Sequence, residues 1–255
     1  MSQKPAELNV SAYMTTNPIT VSADVTFFDA VTKMYHNGIG NLIVIVDNRP
    51  VGLISERQII QYLVTEGTIT DKPMSHIATS LFTKISPDTT ILDAAKIRFE
   101  KNRKLLVFEG EKLAGILTTS DMLRGLRNLN SNISIENVLA PKLYTCSFDD
   151  TLLDQIKLMH EKRIGSVIVN KDNEPYGIFT ERDLICNALA IEADMNEKVG
   201  LYCSHPLVTA DVGINFREAS DIMAKNKLKR LPLKKDGKLT TIVCACDLLK
   251  AFEKV

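Results

Sequence analysis

One short pattern recurs along this chain and sets its organisation. Its fullest copy is Tyr176-Gly177-Ile178-Phe179-Thr180-Glu181-Arg182-Asp183-Leu184: an apolar strand, a sharp entry, then a helix start with a hydroxyl and an acid three residues apart. The same register returns from Val51 to Gln58, from Gly115 to Asp121 and, more weakly, from Thr241 to Asp247. The copies begin at 52, 115, 177 and 241, so the intervals are 63, 62 and 64 residues. Spacing this regular means four copies of one supersecondary unit.

The first copy shows the plan. Pro18-Ile19-Thr20-Val21 reads as a short strand. Thr26-Phe27-Phe28-Asp29 opens a helix whose apolar stripe is Phe27, Ala30, Val31 and Met34. Asn37-Gly38 ends it. The aliphatic run Leu42–Val46 suits a strand buried on both faces. Asp47-Asn48-Arg49-Pro50 reads as a turn, Val51–Ile54 as a strand, and Ser55 to about Val64 as the closing helix. The other copies repeat the plan, their first helices opening at Thr90, Thr151 and Asn215, each with an acid three residues on. The expected fold class is α/β with mixed strands, in repeats at 10–66, 74–127, 134–190 and 199–253. Units this small with three short strands bury too little surface to stand alone, so they should pair. The polar link Arg127–Asn132 predicts modules at 1–130 and 131–255.

Composition removes several function classes. Lys plus Arg and Asp plus Glu are both 31, so bulk charge gives no pull toward nucleic acid or an anionic membrane. No apolar run is long enough to span a bilayer, and the first residues lack the apolar core of a signal peptide, so a cytoplasmic protein is expected. The five cysteines form no Cys-x-x-Cys pair and the four histidines are scattered, so no metal spacing appears. Buried free thiols are the reading for all five, Cys244-Ala245-Cys246 included, where packing is favoured over redox sensing. No nucleophile–His–acid set or phosphate-cradling glycine loop appears, so no enzyme is expected.

With strand–helix–strand–strand–helix repeats and Gly-h-h-Thr/Ser-x-x-Asp at the second helix, complete in repeats two and three, the chain resembles the cystathionine-β-synthase (CBS) domain family. Two such domains form a Bateman module. Four in one chain resemble the gamma subunit of AMP-activated protein kinase and stand-alone archaeal four-repeat proteins. The resemblance implies adenine nucleotides (AMP, ADP or ATP) held in clefts between paired repeats, with no other cofactor. It also implies a conformational change passed to a homodimer mate or a regulated protein partner.

The residues allow this chemistry. A carboxylate near a helix start accepts hydrogen bonds from ribose hydroxyls, and Asp121, Asp183 and Asp247 hold that position. Thr118 and Thr180 stand three residues earlier, yet Thr-x-x-Asp is also simply a capping box that needs no ligand. Repeat one offers Gln58 and is expected to lack ribose recognition; repeat four replaces the threonine with Cys244. The resemblance assigns the adenine slot to the first strands, matched here by Ile19-Thr20, Thr83-Lys84, Tyr144-Thr145 and Leu207-Val208. It assigns phosphate contacts to the residues before the middle strand, matched by Lys229 and Arg230 ahead of Pro232 and by Lys104 in repeat two. Gly165 and Ser166 make the same place small and neutral in repeat three, suiting a ribose or base wall. Arg57 and Arg182 face a phosphate or water. The alternative function is a nucleic-acid or polyanion module built on the basic patches near Lys104 and Arg230.

Overall fold

The computed structural model describes residues 8–67, 73–101, 103–127 and 132–253. Repeat one contains β1 (Thr15–Thr16), β2 (Thr20–Ser22), α1 (Phe27–Asn37), β3 (Asn41–Val46), β4 (Arg49–Ser55) and α2 (Glu56–Glu66). Repeat two contains β5 (Phe82–Ile85), α3 (Ile91–Lys101), β6 (Lys104–Glu109), β7 (Lys112–Leu117) and α4 (Thr119–Leu126). Repeat three contains β8 (Thr145–Ser147), α5 (Leu152–Glu161), β9 (Ser166–Lys171), β10 (Glu174–Thr180) and α6 (Glu181–Asp183). Repeat four contains β11 (Ala210–Asp211), α7 (Phe216–Lys225), β12 (Arg230–Lys235), β13 (Lys238–Cys244) and α8 (Ala245–Glu253). The mixed α/β plan is the expected one, and no described helix is long and apolar enough to cross a membrane.

Local chemistry accounts for these boundaries. Thr26, Thr151 and Asn215 accept the backbone N–H three residues on, which satisfies a donor the helix start leaves free. Thr90 does the same for Asp93 at 3.1 Å. Gly38 ends α1 in the left-handed region. The two-residue hairpin turns Asp47-Asn48 and Asp172-Asn173 have both residues at positive φ, the geometry that matches strand twist.

In each repeat the first strand runs parallel to the middle one, and the middle one antiparallel to the third. A leader ahead of each repeat then pairs with the third strand of another. Thr15 sits opposite Ile116. Thr79 and Leu53 exchange two backbone hydrogen bonds of 2.9 Å, and Ser204 and Ile178 exchange bonds of 2.9 and 3.0 Å. Ala140 N–H donates to Ile242 O at 3.1 Å. Leaders are thus exchanged between repeats one and two and between three and four. The glycine of the recurrent pattern makes room for them: a Cβ on Gly177 would lie 2.6 Å from Ser204 O, and one on Gly115 would lie 2.8 Å from Thr15 O. Repeat four has Thr241 instead, whose hydroxyl donates to Ala140 O at 2.7 Å.

Compactness divides the chain differently from the expected modules 1–130 and 131–255. An odd unit comprises Ile19–Ser80 and Tyr144–Leu207, the bodies of repeats one and three. An even unit comprises residues 1–18, Leu81–Leu143 and Val208–Val255, holding the bodies of repeats two and four. The reason is helix packing: α2 packs on α5 and α1 on the segment 184–191, while α4 packs on α8. The odd core joins Phe27, Leu42 and Ile54 to Leu152, Phe179 and Leu184; the even core joins Ile91, Leu105 and Leu126 to Phe216, Leu231 and Leu248. Residues 128–131 of the polar link lie outside the described residues.

Two elements depart from the repeat. The second helix of repeat three is α-helical only over Glu181–Asp183, then a π turn over Leu184–Ala188 and a 3-10 turn over Leu189–Ile191. That wide turn lets Leu184, Ile185, Ala188 and Leu189 all be buried while Asn187 turns back toward Asp183. In repeat four β11 is only two residues long. Pro232 stands where Ile43 and Ile168 donate their N–H groups to Ile19 O and Tyr144 O, and a proline has none to give.

Candidate functional site

The four helix starts bring strand, cap and acid together in one repeated geometry. In repeats two and three the box is complete. Thr118 N–H and hydroxyl donate to Asp121 Oδ2 at 2.9 and 2.7 Å, and Thr180 N–H and hydroxyl donate to Asp183 Oδ2 at 2.8 and 2.6 Å. In repeat one Gln58 Oε1 takes the same bonds from Ser55, so its amide serves the cap. In repeat four Cys244 N–H donates to Asp247 Oδ2 at 3.0 Å.

The second carboxylate oxygen differs among the copies. Asp183 Oδ1 accepts from the Ser204 hydroxyl at 2.6 Å and from Asn187 Nδ2 at 3.2 Å, and the residue is buried. Asp121 Oδ1 pairs with Arg124 at 3.2 Å. Asp247 Oδ1 lies 3.6 Å from Lys250, the Cys244 thiol also acts on this carboxylate, and its side chain is 21% exposed against 8% for Asp121. Ser204 and Asn187 escape a reading of the local motif because they lie outside it, in a leader and a π turn.

The residue opposite each cap decides the charge. Asn41 pairs with Ser55, Ser166 with Thr180 and Arg230 with Cys244; Lys104 precedes the pair Leu105–Leu117 in the same ladder, so it stands beside Thr118. The preceding residue caps the helix entry from its carbonyl. Gly165 O accepts Glu181 N–H at 3.1 Å, and Lys229 O accepts Ala245 N–H at 2.9 Å. The even unit therefore carries cations at these helix starts, and the odd unit carries neutral side chains.

Arg182 is partly exposed, and its guanidinium is engaged by the protein itself. Its Nε and Nη2 both lie 3.1 Å from Glu56 Oε1, and its Nη1 donates to Gly38 O at 2.8 Å. Arg57 mirrors it, donating to Glu181 Oε1 at 3.0 Å and to Arg163 O at 3.4 Å. Both glutamates are buried, and a buried carboxylate must be paired. A signal for this was in the chain: Glu-Arg occurs at this register in copies one and three and in neither of the others.

The first strands lie beside the middle strands at the same sheet end. Thr20 is in register with Ile43 and Thr145 with Ile168. In repeat four the ladder joins Ala210 to Leu233, which puts Val208-Thr209 in the equivalent place. The expected match Leu207-Val208 is one residue early by this register. Among the described residues no three His, Cys, Asp or Glu side chains gather as a metal site.

Comparison with known proteins fits this geometry. The family model described as "CBS domain" matches residues 10–65, 74–128, 135–188 and 199–254. The crystal structure of MJ1225 from Methanocaldococcus jannaschii, described as an archaeal homologue of g-AMPK, superposes with a TM-score of 0.79 at 18% identity, covering 96% of this chain and 100% of that one. An uncharacterized conserved protein from Pyrococcus horikoshii superposes at 0.65 with 21% identity, covering 95% and 99%. These likenesses are of fold. A 33.4 kDa protein encoded in a ribosomal RNA operon of Thermofilum pendens is 30% identical over 179 residues, 62% of this chain and 57% of that protein. The chain thus spans about six tenths of the length of the curated relatives it matches.

Proposed function

We propose, because the chain belongs to the CBS domain family along four consecutive repeats, that it is a regulatory protein that binds adenine nucleotides at its helix starts and passes the change to a partner. One observation carries this reading: the start of α8 joins Asp247, the most exposed of the three acids, to the cations Lys229 and Arg230 on the adjoining strand. A carboxylate that accepts ribose hydroxyls, beside an arginine that grips phosphate, is what a nucleotide needs. The N–H groups of the helix start add to the attraction for an anion. Pro232 supports the same repeat, since it cannot donate to Val208 and so does not compete for that carbonyl.

Asp121, with Thr118 and Lys104, is the second candidate, and a ribose there competes with Arg124. The Asp183 site, with Thr180, Tyr144, Thr145, Gly165 and Ser166, is the most self-satisfied. Ser204 already donates to the oxygen that a ribose hydroxyl would use. Ile19 and Thr20 belong to the repeat whose helix start has Gln58 in place of the aspartate. Ligand binding regulates only through different affinities for two conformations, so the signal is a population shift read by the partner. Isothermal titration of the full chain with AMP, ADP and ATP tests the reading. Saturable binding of at least one of them is expected; heat-silent titrations confirmed by equilibrium dialysis with no bound nucleotide would remove it.

A further inference from the structure

Cys244 and Cys246 form a feature that nucleotide binding does not use. Where the other helix starts carry Ser55, Thr118 and Thr180, the fourth carries Cys244, with Cys246 two residues on. Both thiols are half-buried, whereas Cys146 and Cys203 are buried. Cys246 Sγ lies 3.6 Å from the Thr119 hydroxyl at the start of α4. The two thiols share a hydrogen bond with each other. That bond, helped by the Thr119 hydroxyl and the charges of Arg98 and Lys104, draws Cys246 toward the thiolate against its burial. The same bond, with burial and the Asp247 carboxylate, holds Cys244 protonated.

Packing alone, the expectation from sequence, asks only for two small apolar side chains. What stands here is a pair of half-buried thiols on either side of Ala245, the first residue of a helix whose N–H groups favour a thiolate, with a hydroxyl 3.6 Å from Cys246. Those are the attacking and resolving parts of a thiol–disulfide pair. The span suits closure, since residues two apart at a helix entry have Cα atoms roughly 5.5 Å apart, and a disulfide bridges roughly 4.4–6.8 Å.

We propose that Cys244 and Cys246 are a reversible dithiol–disulfide pair, closed by a small disulfide such as oxidised glutathione, and that closure alters the helix start carrying Asp247. Cys246 sulfur attacks one sulfur of glutathione disulfide, whose S–S bond breaks and releases one glutathione thiol. Cys244 sulfur, losing its proton, attacks Cys246 sulfur in the mixed disulfide and releases the second. Two protein thiols are oxidised, and one glutathione disulfide is reduced to two thiols. Cys244 N–H donates to Asp247 Oδ2 at 3.0 Å, so fixing Cys244 in a ring moves the donor that orients the carboxylate. Only this last clause rests on the nucleotide reading.

The test treats the full chain with glutathione disulfide, alkylates it under denaturing conditions, digests it with trypsin and weighs the peptides. The peptide from Leu239 to Lys250 holds both cysteines. It is expected to lack alkylation, to weigh two hydrogens less than the dithiol, and to recover both labels after dithiothreitol. Cys246→Ser is expected to abolish closure. Cys244→Ser, which restores the hydroxyl cap of the other repeats and so preserves the fold, is expected to leave glutathione on Cys246. A doubly alkylated wild-type peptide, a disulfide between chains, or a Cys244→Ser protein without the adduct would overturn the pair. Titrating reduced and oxidised protein with the tightest of AMP, ADP and ATP tests the last clause: a several-fold change in affinity is expected, and equal affinity would overturn it. The mass result stands whether or not a nucleotide binds.

Discussion

The odd and even units build the same helix entry from opposite materials. In the odd unit the first helical residues are Glu56-Arg57 and Glu181-Arg182, and each arginine grips the other repeat's buried glutamate. In the even unit the same places hold Thr119-Ser120 and Ala245-Cys246, which meet through a hydroxyl and a thiol. The residue facing that glutamate changes with it. A Cβ on Gly40 would lie 2.6 Å from the Glu56 carboxyl and would push that carboxyl aside, whereas the even unit carries Lys229 against the small Ala245. The odd unit thus spends its charges on itself. The even unit places Lys104 and Arg230 on the strands beside its helix starts, where the odd unit has Asn41 and Ser166, and a phosphorylated ligand is expected beside the cations.

This contrast can be broken by substitution. The largest effect on stability is expected from Asp183→Ala, which strips the partner from Ser204, Asn187 and Thr180 together. Loss of several bonds to a buried carboxylate should cost about 3 kcal/mol. Urea unfolding checks it, and a change below about 1 kcal/mol would show that those bonds carry little. Arg182→Ala should come next, leaving Glu56 without its main partner. Because Arg182 is 34% exposed, the full buried-pair penalty is discounted to about 1–2 kcal/mol. Ser120→Ala, at the same place in the even unit, should stay within about 0.5 kcal/mol by the same measurement. Arg230→Ala should weaken the tightest nucleotide about tenfold, the size of one lost charge-assisted bond, while Ser166→Ala should leave it unchanged. Equal effects would erase the difference between the units.

The smallest effect is alkaline. Burial pushes the Cys146 thiol up to about 12 and the Cys203 thiol up to about 11, both in the odd unit. The hydrogen bond to Glu197 raises Tyr202 to about 12. Each raised folded-state value is a stabilisation fully present below the unfolded value and lost as pH climbs to the folded one. The contribution of these three groups should therefore be level below about pH 8.5 and decline toward pH 12. Cys203→Ser should flatten the thiol part of that decline in pH-dependent melting, and an unchanged slope would exclude it.

Much of this was legible along the chain, for reasons that are local. The caps at Thr26, Thr118 and Thr180 are spacing rules, and the aliphatic middle strands are buried as their composition demands. The acid positions Asp121, Asp183 and Asp247 follow from the same register. What was not legible depends on residues far apart. Glu56 meets Arg182 across 126 positions, and Ser204 reaches Asp183 only after a leader has crossed to another strand. The polar link after Arg127 looked like a boundary because polarity is visible in sequence. The pairing of repeat one with three is written instead in the shared Glu-Arg, which reads as a surface ion pair until two copies are compared. The start of the strand position at Val208 rather than Leu207 is fixed by the pairing of Ala210 with Leu233, a register between strands that the local motif does not carry.

The central claim is that Asp247 is the carboxylate left for a ligand and Asp183 the one consumed by the fold. Titrating wild type, Asp247→Ala and Asp183→Asn with AMP, ADP and ATP, each protein first shown to be folded, tests it directly. The account predicts that Asp247→Ala lowers affinity for the tightest nucleotide about a hundredfold, two charge-assisted hydrogen bonds' worth, while Asp183→Asn changes it by less than about threefold. Full affinity in Asp247→Ala, with the loss appearing in Asp183→Asn instead, would contradict it.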